Sequence, residues 1–463
     1  MAAFGLSVVL FLFWSLLGWA ALAALHSRRN LLHNLLLAPA VGVAATLLPV
    51  FWLNRLGLPV RYAGPLVTIL LLAAAIFLLY RFRTPLPLRR LLPFAAVLLV
   101  ALLLAGHPLL RFGFDWVSYG SDDMANYVLA AHRFHDYGFF ALPDGDALLH
   151  NRDTSLYYWF MHAVIGDRPG SELLLAWLMS LTRLNGLQVF MPLILALHLA
   201  LVAAAGALAG RSPRARTAAL LTCFLVACSS LTTLGVVYQL IAQTFGLALL
   251  CAAGALILPP LPVRRGPWRY GLLGATVLSA LLVVYPEVVP FLALAFVLSA
   301  TIQTLRRRLA LPTLLWPLTT LSLFCVLFLN RYLLTALVFI QKAIGKIQPA
   351  DLRYSLFPFY LLPSGLANLW GFLTLSQTRF AEPWLSLAIA AGALLLILAA
   401  AAAAWQTWLG QPIAALATVL LAATILFFVR RNDFGLFKVT MFLQPFVLGV
   451  LVTAWLRLAG RRA

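Results

Sequence analysis

The stretch LSLAIAAGALLLILAAAAAAWQTW, residues 385–408, contains no charged residue. A transmembrane helix needs about 20 predominantly apolar residues to span a hydrocarbon core of about 30 Å. Similar runs recur along nearly the whole chain of 463 residues, of which 63% are hydrophobic and only 10% are charged. An average soluble domain carries about 25% charged residues. The sequence therefore predicts an all-α polytopic membrane protein and excludes a single soluble domain.

The apolar runs predict about 13 transmembrane helices, since each run is long enough for one crossing. The N-terminal run has no basic segment before it, so we expect the first span to be retained rather than cleaved as a signal peptide. The predicted spans are 4–25, 35–53, 66–80, 91–106, 186–209, 217–234, 236–258, 271–286, 290–305, 311–330, 385–408, 413–429 and 439–456.

The formal net charge of +20 comes from short arginine clusters between the apolar runs. Short loops rich in basic residues stay on the cytoplasmic side of a membrane. The clusters are therefore explained by the orientation of the chain in the membrane, and they do not indicate nucleic-acid binding. With an odd number of spans and a cytoplasmic C-terminus, the N-terminus is expected outside. Five clusters contain no acidic residue: 81–90, 211–216, 262–269, 306–308 and 457–463.

The acidic residues are segregated from these clusters. Nine of the 13 Asp and Glu residues lie between positions 115 and 172, inside a predicted extracytoplasmic loop, 107–185. A second long loop covers 331–384. We divide the chain into N-terminal transmembrane helices (1–90), a transmembrane core that includes both loops (91–456) and a cytoplasmic tail (457–463).

Two adjacent carboxylates, Asp122 and Asp123, stand at the start of a predicted helix, 121–137. Acidic residues in a first helical turn suit the helix dipole, so a purely capping role is one interpretation. A carboxylate at a membrane edge could instead serve as a general base. Asn126 and Tyr127 follow at helical spacing, so we expect them on the same face and name them as candidates for binding a substrate.

A second acidic segment could hold a divalent cation such as Mg²⁺ or Mn²⁺ through oxygen ligands. Its candidates are Asp144, Asp146 and Asp153, with His150 nearby as a candidate for substrate binding. Asp-Gly-Asp is also a common turn sequence, and we favour the turn.

Two further features of the acidic regions carry predictions. The segment 171–183 is expected to form an amphipathic helix along the membrane surface. Glu287, between two prolines at the end of a span, is a candidate for substrate binding, because an isolated acid at membrane depth is costly; the alternative is a solvated side chain at a loop tip.

The three lysines of the chain all lie on the predicted outer side, against the charge rule. Loops can tolerate a few cations, but cationic side chains also bind phosphate strongly. We therefore predict a phosphate site formed by some of these groups. The candidates are Lys438, Arg430 and Arg431, followed by Lys342, Lys346 and Arg353.

The sequence SDDMANYVLAAHRFHDYGFF, residues 121–140, in this setting resembles the GT-C superfamily of membrane glycosyltransferases. The resemblance covers about 100–456 in architecture. It implies transfer of a sugar from a polyprenyl-phosphate carrier to a glycan, lipid or protein acceptor on the extracytoplasmic face of a bacterial cytoplasmic membrane. It also implies that Asp122 or Asp123 acts as the base or holds the acceptor, in some members with a metal ion.

Many GT-C members carry a large soluble C-terminal domain, which we do not expect here because the predicted spans continue to 456, so the acceptor class stays open. Three alternatives remain. A lipid-linked glycan flippase or other transporter is disfavoured, since such proteins need ionisable residues in mid-span and the acids here cluster in a loop. A pyrophosphate-linked glycan ligase or polymerase and a non-catalytic scaffold are the others.

Overall fold

The computed structural model describes residues 1–25, 31–82, 88–118, 123–150, 152–153, 155–212, 214–259, 266–345, 356–373 and 382–460. These residues form helices and no strands. The α-helices are α1 (Ala2–Leu25), α2 (Leu31–Arg55), α3 (Val60–Phe82), α4 (Leu88–Phe112), α5 (Asp123–Asp136), α6 (Gly145–Leu149), α7 (Leu156–Trp159), α8 (Gly170–Thr182), α9 (Gly186–Ala209), α10 (Ala215–Ala227), α11 (Ser230–Val237), α12 (Ile241–Ile257), α13 (Pro267–Val284), α14 (Val289–Leu305), α15 (Pro312–Leu329), α16 (Tyr332–Gly345), α17 (Gly365–Asn368), α18 (Trp384–Trp408), α19 (Pro412–Val429) and α20 (Asp433–Ala459).

The prediction of a polytopic helical membrane protein is confirmed. Eleven helices in the described part of the chain are long and apolar enough to cross a membrane, against the thirteen predicted. The predicted span 217–234 is a pair of helices, α10 and α11, bent by 53°. The bend arises because the side chain of Ser229 accepts a hydrogen bond from the backbone of Thr232 and so begins a new helix. The predicted span 236–258 is α12, whose 17 residues extend about 26 Å.

Helices α8 and α9 form the centre of the bundle. Almost every residue of α9 is buried, as expected for a helix that is apolar on all faces. Helix α8 is also buried from Gly170 to Met179, where it contacts α2, α3, α5 and α9. The prediction that 171–183 lies along the membrane surface is therefore wrong. Its apolar residues surround the helix instead of forming a single stripe, so the segment packs inside the protein.

Helices α1 and α2 approach closely at two glycines, and this contact carries a testable prediction. A Cβ atom on Gly18 would lie 1.8 Å from the carbonyl oxygen of Ala38, and one on Gly42 would lie 1.9 Å from that of Trp14. We expect Gly18→Ala to lower the free energy of unfolding by about 1–3 kcal/mol, because backbone atoms cannot move aside cheaply. Thermal unfolding in detergent measures this change.

The matched control for this prediction is Gly5→Ala in the same helix, where an added Cβ has no neighbour within 4 Å. It should not destabilise the protein, since alanine is the better helix former. Equal unfolding temperatures for the two variants would contradict the close approach of the helices.

One end of the bundle carries the acid-rich loop, and we call it the loop end. The side-chain amide of Asn54, near the end of α2, donates to the carbonyl oxygens of Phe134 (3.3 Å) and Tyr137 (3.0 Å). Phe4 in α1 lies against Gly106 near the end of α4, so the N-terminus is at the loop end as well.

The opposite end gathers arginine side chains. Arg211 donates hydrogen bonds to the carbonyl oxygens of Ala255 (3.0 Å) and Leu258 (2.9 Å) at the end of α12. Gly460, at the end of α20, lies next to Arg214. Arg211 and Arg214, of the cluster 211–216, therefore lie at the end of the bundle opposite the acidic loop, as the charge pattern predicts for this cluster.

Candidate functional site

The site is built on the first turn of α5. The prediction of a helix over 121–137 is confirmed from Asp123 to Asp136, with Asp123 in its first turn. Asn126 and Tyr127 lie one turn further along, and all three side chains line the same cavity. This agrees with the expectation that residues three and four positions apart share a helix face. Asp122 lies outside the described residues.

The first cavity, of about 220 Å³, is lined mainly by polar side chains, and we call it the acidic chamber. It is lined by α5, by α7 and the π-helical segment Phe160–Ile165 that continues it, and by residues up to the start of α8. The hydroxyl of Tyr158 donates to Oδ1 of Asn126 at 3.2 Å, which fixes the amide at the chamber wall. The side chains that define the chamber are Asp123, Asn126, Tyr158, His162, Asp167 and Glu172.

A second cavity, of about 390 Å³, adjoins the first, and we call it the cationic chamber. The two chambers share Asp123, Tyr127 and Arg168 in their walls. Beyond this shared wall, the cationic chamber is lined by a lysine and by aromatic and amide side chains of α11–α13, α20 and the second loop. They include Tyr238, Gln243, Tyr285, Phe357, Phe434, Phe437 and Lys438.

Arg168 is the largest charged group in the shared wall. Its guanidinium forms an ion pair with Glu287 and donates to the hydroxyl oxygen of Tyr127 at 3.3 Å. It also lies 4.7 Å from the ring centroid of Tyr285. Burial disfavours the charged form, but the carboxylate of Glu287 outweighs burial and raises the pKa of Arg168 above its ordinary value. Arg168 therefore presents a fixed positive charge to both chambers.

Glu287 was a sequence candidate for binding substrate, and the structure gives its side chain a different neighbour. Its carboxylate holds Arg168, and the two side chains are 25% and 16% exposed. It does not belong to the lining of either chamber among the described residues. Glu287 thus positions the arginine that faces the cavities, and it is not a solvated residue at a loop tip.

This ion pair carries a second prediction. Glu287→Leu should lower the free energy of unfolding by about 3 kcal/mol, because it leaves the charge of Arg168 without its carboxylate in a mostly buried place. Combining it with Arg168→Met should restore much of the loss, since the double variant buries no unpaired charge. Denaturant unfolding of the two single variants and the double variant measures the coupling.

A control for this prediction is Asp136→Asn, which breaks the pair between Asp136 and Arg61 (3.6 Å), both almost half exposed. We expect little change there, because exposed pairs contribute little. If the loss of unfolding free energy in the double variant equals the sum of the losses in the two single variants, the side chains of Glu287 and Arg168 are not coupled.

His162 and Glu172 form a buried pair in the wall of the acidic chamber. Nε2 of His162 lies 3.5 Å from Oε1 of Glu172, and the side chains are 4% and 8% exposed. Nδ1 of His162 lies 2.8 Å from the carbonyl oxygen of Tyr158, so this nitrogen carries the hydrogen that it donates. Burial lowers the pKa of His162, but the hydrogen bond and charge of Glu172 outweigh burial, so the pKa is raised overall.

Lys438 reaches the cationic chamber from the second turn of α20. Its Nζ lies 4.5 Å from the ring centroid of Phe434, a geometry that stabilises a cation. Helix α20 begins where the side chain of Asn432 accepts a hydrogen bond from the backbone of Gly435 at 2.7 Å. This cap fixes where the helix begins, and Lys438 falls in its second turn.

Aromatic side chains form the wall of the cationic chamber on the side of the second loop. The backbone N–H of Phe357 donates to Oδ2 of Asp433 at 2.6 Å, which ties this loop to α20. The rings of Phe357 and Phe437 are stacked with their centroids 4.0 Å apart. The ring centroids of Tyr360 and Phe437 are 5.9 Å apart, and Tyr360 borders an apolar cavity of about 460 Å³. The cationic chamber thus has an apolar neighbour.

The other cations named from the sequence lie elsewhere. Arg430 and Arg431 are exposed at the end of α19, and neither belongs to the lining of either chamber as far as the structure describes it. Lys342 is exposed in the last turn of α16. Lys346 and Arg353 lie outside the described residues. Of the six candidates for a phosphate site, the structure brings Lys438 to the cavity that Asp123 lines.

The predicted metal candidates are occupied by local contacts. Asp144 caps α6 by accepting a hydrogen bond from the backbone of Asp146 at 3.1 Å, as the favoured turn interpretation predicts. Asp146 is paired with Arg152 and His150 at the surface. Among the described residues, no group of three or more His, Cys, Asp or Glu side chains could hold a metal ion. The structure thus gives Asp144 and Asp146 local partners and does not gather the candidates for an Mg²⁺ or Mn²⁺ site into such a group within the part of the chain that it describes.

Asp153 has two local contacts of its own. Its Oδ1 accepts from the backbone of Ser155 at 2.7 Å, and its Oδ2 accepts from the hydroxyl of Tyr137 at 3.3 Å. His150 and Asp153 consequently stabilise the loop, and neither belongs to the described lining of the chambers.

Sequence reasoning did not single out Arg168, His162 or Glu172 as site residues. Arg168 stands directly after Asp167 in the acid-rich loop, which is a weak local signal. Its partner Glu287 lies 119 residues further along the chain, and no local pattern links the two.

The fold and the site define a multi-pass helical membrane protein with a two-chamber polar site at its loop end. Comparisons with family models, with curated proteins and with solved structures returned no match. The arguments for function below therefore rest on the chemistry of the site.

Proposed function

We propose that the protein is a glycosyltransferase of the GT-C type that moves a sugar from a polyprenyl-phosphate carrier to an acceptor hydroxyl. The observation that carries this proposal is the position of Asp123 in the wall common to two chambers of opposite charge. A carboxylate between an acceptor and a phosphate-linked donor is where a general base is needed.

The cationic chamber suits the donor. Lys438 and Arg168 supply two positive groups to one cavity, and charge-assisted hydrogen bonds to phosphate are among the strongest that side chains make. The aromatic wall of Phe357, Phe434 and Phe437 would receive the first isoprenoid units next to the phosphate. The apolar cavity beside Tyr360 offers further surface for a hydrocarbon chain. A donor with a charged phosphate and a hydrocarbon tail matches the cationic chamber, its aromatic wall and the apolar cavity.

The acidic chamber suits the acceptor. In the proposed reaction, the acceptor hydroxyl gives its proton to Asp123 while its oxygen attacks C1 of the sugar. The bond from C1 to the phosphate oxygen breaks, and the electron pair stays on that oxygen. The products are the new glycoside, the polyprenyl phosphate and protonated Asp123. Lys438 and Arg168 stabilise the negative charge that grows on the phosphate. Such electrostatic stabilisation of the transition state is usually the largest single contribution to catalysis.

Tyr127 supports the same arrangement from the shared wall. Burial raises the pKa of Tyr127 to about 12, although the charge of Arg168 acts in the opposite direction. Its hydroxyl is thus neutral at physiological pH and can donate a hydrogen bond to substrate while accepting one from Arg168. We assign Tyr127 a role in orienting the donor beside Asp123.

The proposal is tested with purified protein in lipid nanodiscs. Synthetic polyprenyl-phosphate sugars are incubated with candidate hydroxyl acceptors, and the products are identified by mass spectrometry. Formation of a glycoside together with free polyprenyl phosphate is the expected result. Turnover of pyrophosphate-linked donors alone would assign the chain to the ligase or polymerase class. Movement of the lipid-linked glycan between leaflets without transfer would assign it to the flippases. Either result would overturn the proposal.

A further inference from the structure

The acidic chamber carries an excess of negative charge. Among the described residues that line it, Asp123, Asp167 and Glu172 are carboxylates, whereas Arg168 and His162 are the groups that can be positive. Glu287, behind the wall, adds a fourth carboxylate through its pair with Arg168. Even with His162 protonated, the carboxylates outnumber the cationic groups in the described part of the chamber. A cleft with one dominant sign of charge attracts ligands of the opposite sign.

Glu172 gives a second and independent indication of a ligand. Its side chain is only 8% exposed, and Oε2 has no hydrogen-bond partner among the described residues. A buried carboxylate oxygen without a donor is costly. Oε1 faces His162, so Oε2 is the atom of Glu172 to which an occupant of the chamber could supply a donor.

We infer that the acidic chamber binds an acceptor that carries a protonated amine beside its reacting hydroxyl. The role of this ligand as the acceptor rests on the proposed function, whereas the binding of an amine does not. A neutral polyol could donate hydrogen bonds to the same oxygens, but it would leave the excess charge of the chamber unbalanced. An ammonium group balances the charge and supplies three donors. Tyr157 and Tyr158 line the chamber and present aromatic rings, which also favour a cation.

The size and position of the two chambers fit this assignment. The volume of about 220 Å³ corresponds to about seven water molecules, so the chamber has room for one small head group. Lys438 faces the neighbouring chamber, where the donor's phosphate would offset its charge. Opposite charges in adjacent chambers would also keep donor and acceptor from binding in each other's place.

The test uses three ligands that differ at a single position of the sugar ring. Hexyl glycosides of glucosamine, N-acetylglucosamine and glucose are titrated against the full-length protein in nanodiscs without any donor, and the dissociation constants are measured by calorimetry. We expect the glucosamine glycoside to bind at least about tenfold more tightly than the other two, the minimum for a charge-assisted hydrogen bond in a partly buried site. Equal binding of all three would overturn the inference.

Two variants locate the binding. Glu172→Gln keeps the shape of the side chain and should remove most of the preference for the amine. Asp167→Asn, which is less buried, should reduce the preference and covers the case in which Glu172→Gln does not fold. Asp115→Asn removes an exposed carboxylate from the same loop and should leave the preference intact. A preference that persists in both chamber variants would also overturn the inference.

The outcome is distinguishable from failure of the proposed function. Amine-selective binding without sugar transfer would overturn the glycosyltransferase proposal and leave the amine site standing. Transfer to the glucose glycoside as efficient as transfer to the glucosamine glycoside would support the enzyme and overturn the amine site.

Discussion

Asp123→Asn is expected to lower the turnover number for sugar transfer by about 10²–10⁴-fold, the range that a general base contributes. Asparagine has nearly the same shape as aspartate but cannot accept the proton of the acceptor hydroxyl. The Michaelis constant for the polyprenyl-phosphate donor should change little, because the phosphate is bound by Lys438 and Arg168 in this proposal. Steady-state kinetics with varied donor at saturating acceptor separate the two quantities.

Asp115→Asn is the matched control for this variant. It removes the same charge from an exposed position in the same loop, outside the lining of both chambers. Its turnover number should stay close to that of the wild type. Asp122→Asn serves as a comparison within the pair of carboxylates. Wild-type turnover in Asp123→Asn, with the loss found only in Asp122→Asn, would move the role of base to the neighbouring residue.

The parts of the site that could be predicted from sequence are those that depend on helix periodicity. Asp123, Asn126 and Tyr127 share one face because residues three and four apart in a helix lie side by side, and that holds whatever surrounds the helix. The turn at Asp144 was equally local, since its carboxylate accepts a hydrogen bond from the backbone of Asp146, two residues away. In both cases the relevant contacts lie within one helical turn.

The parts that could not be predicted depend on contacts between distant segments. Arg168 and Glu287 are 119 residues apart, and their pairing follows from how the acid-rich loop packs on the end of α13. Helix α8 was misjudged because hydrophobic periodicity shows that a helix is apolar but not what covers it. Burial beneath α2, α3 and α5 is a property of the assembled bundle.

The cations around the start of α20 show how a single helix cap separates residues that look equivalent in sequence. Arg430, Arg431 and Lys438 are neighbours in one short loop sequence, and the charge rule treats them alike. Asn432 caps the helix, so the two arginines lie before its start and remain exposed. Lys438 falls in the second turn and reaches the cationic chamber. A difference of seven or eight positions in the sequence thus becomes a difference between solvent and cavity.

Lys438→Gln should consequently weaken binding of the polyprenyl-phosphate donor by about 10–150-fold. This range corresponds to the loss of one charge-assisted hydrogen bond, about 1.5–3 kcal/mol. The turnover number should fall as well, since the negative charge on the leaving phosphate grows during the reaction. Donor affinity is measured by titrating a fluorescent polyprenyl-phosphate sugar into the protein in nanodiscs, and turnover is measured in the transfer assay.

Arg430→Gln is the matched control for this prediction, because it removes one positive charge eight residues away at the same end of the bundle. A general electrostatic attraction of the donor to the membrane surface would be reduced equally by both changes, and added salt would reduce it further. A phosphate bound inside the cationic chamber would respond to Lys438 alone, with at most a small change in Arg430→Gln. Equal losses of donor affinity in the two variants, or no loss in either, would place the phosphate outside the chamber that Asp123 lines.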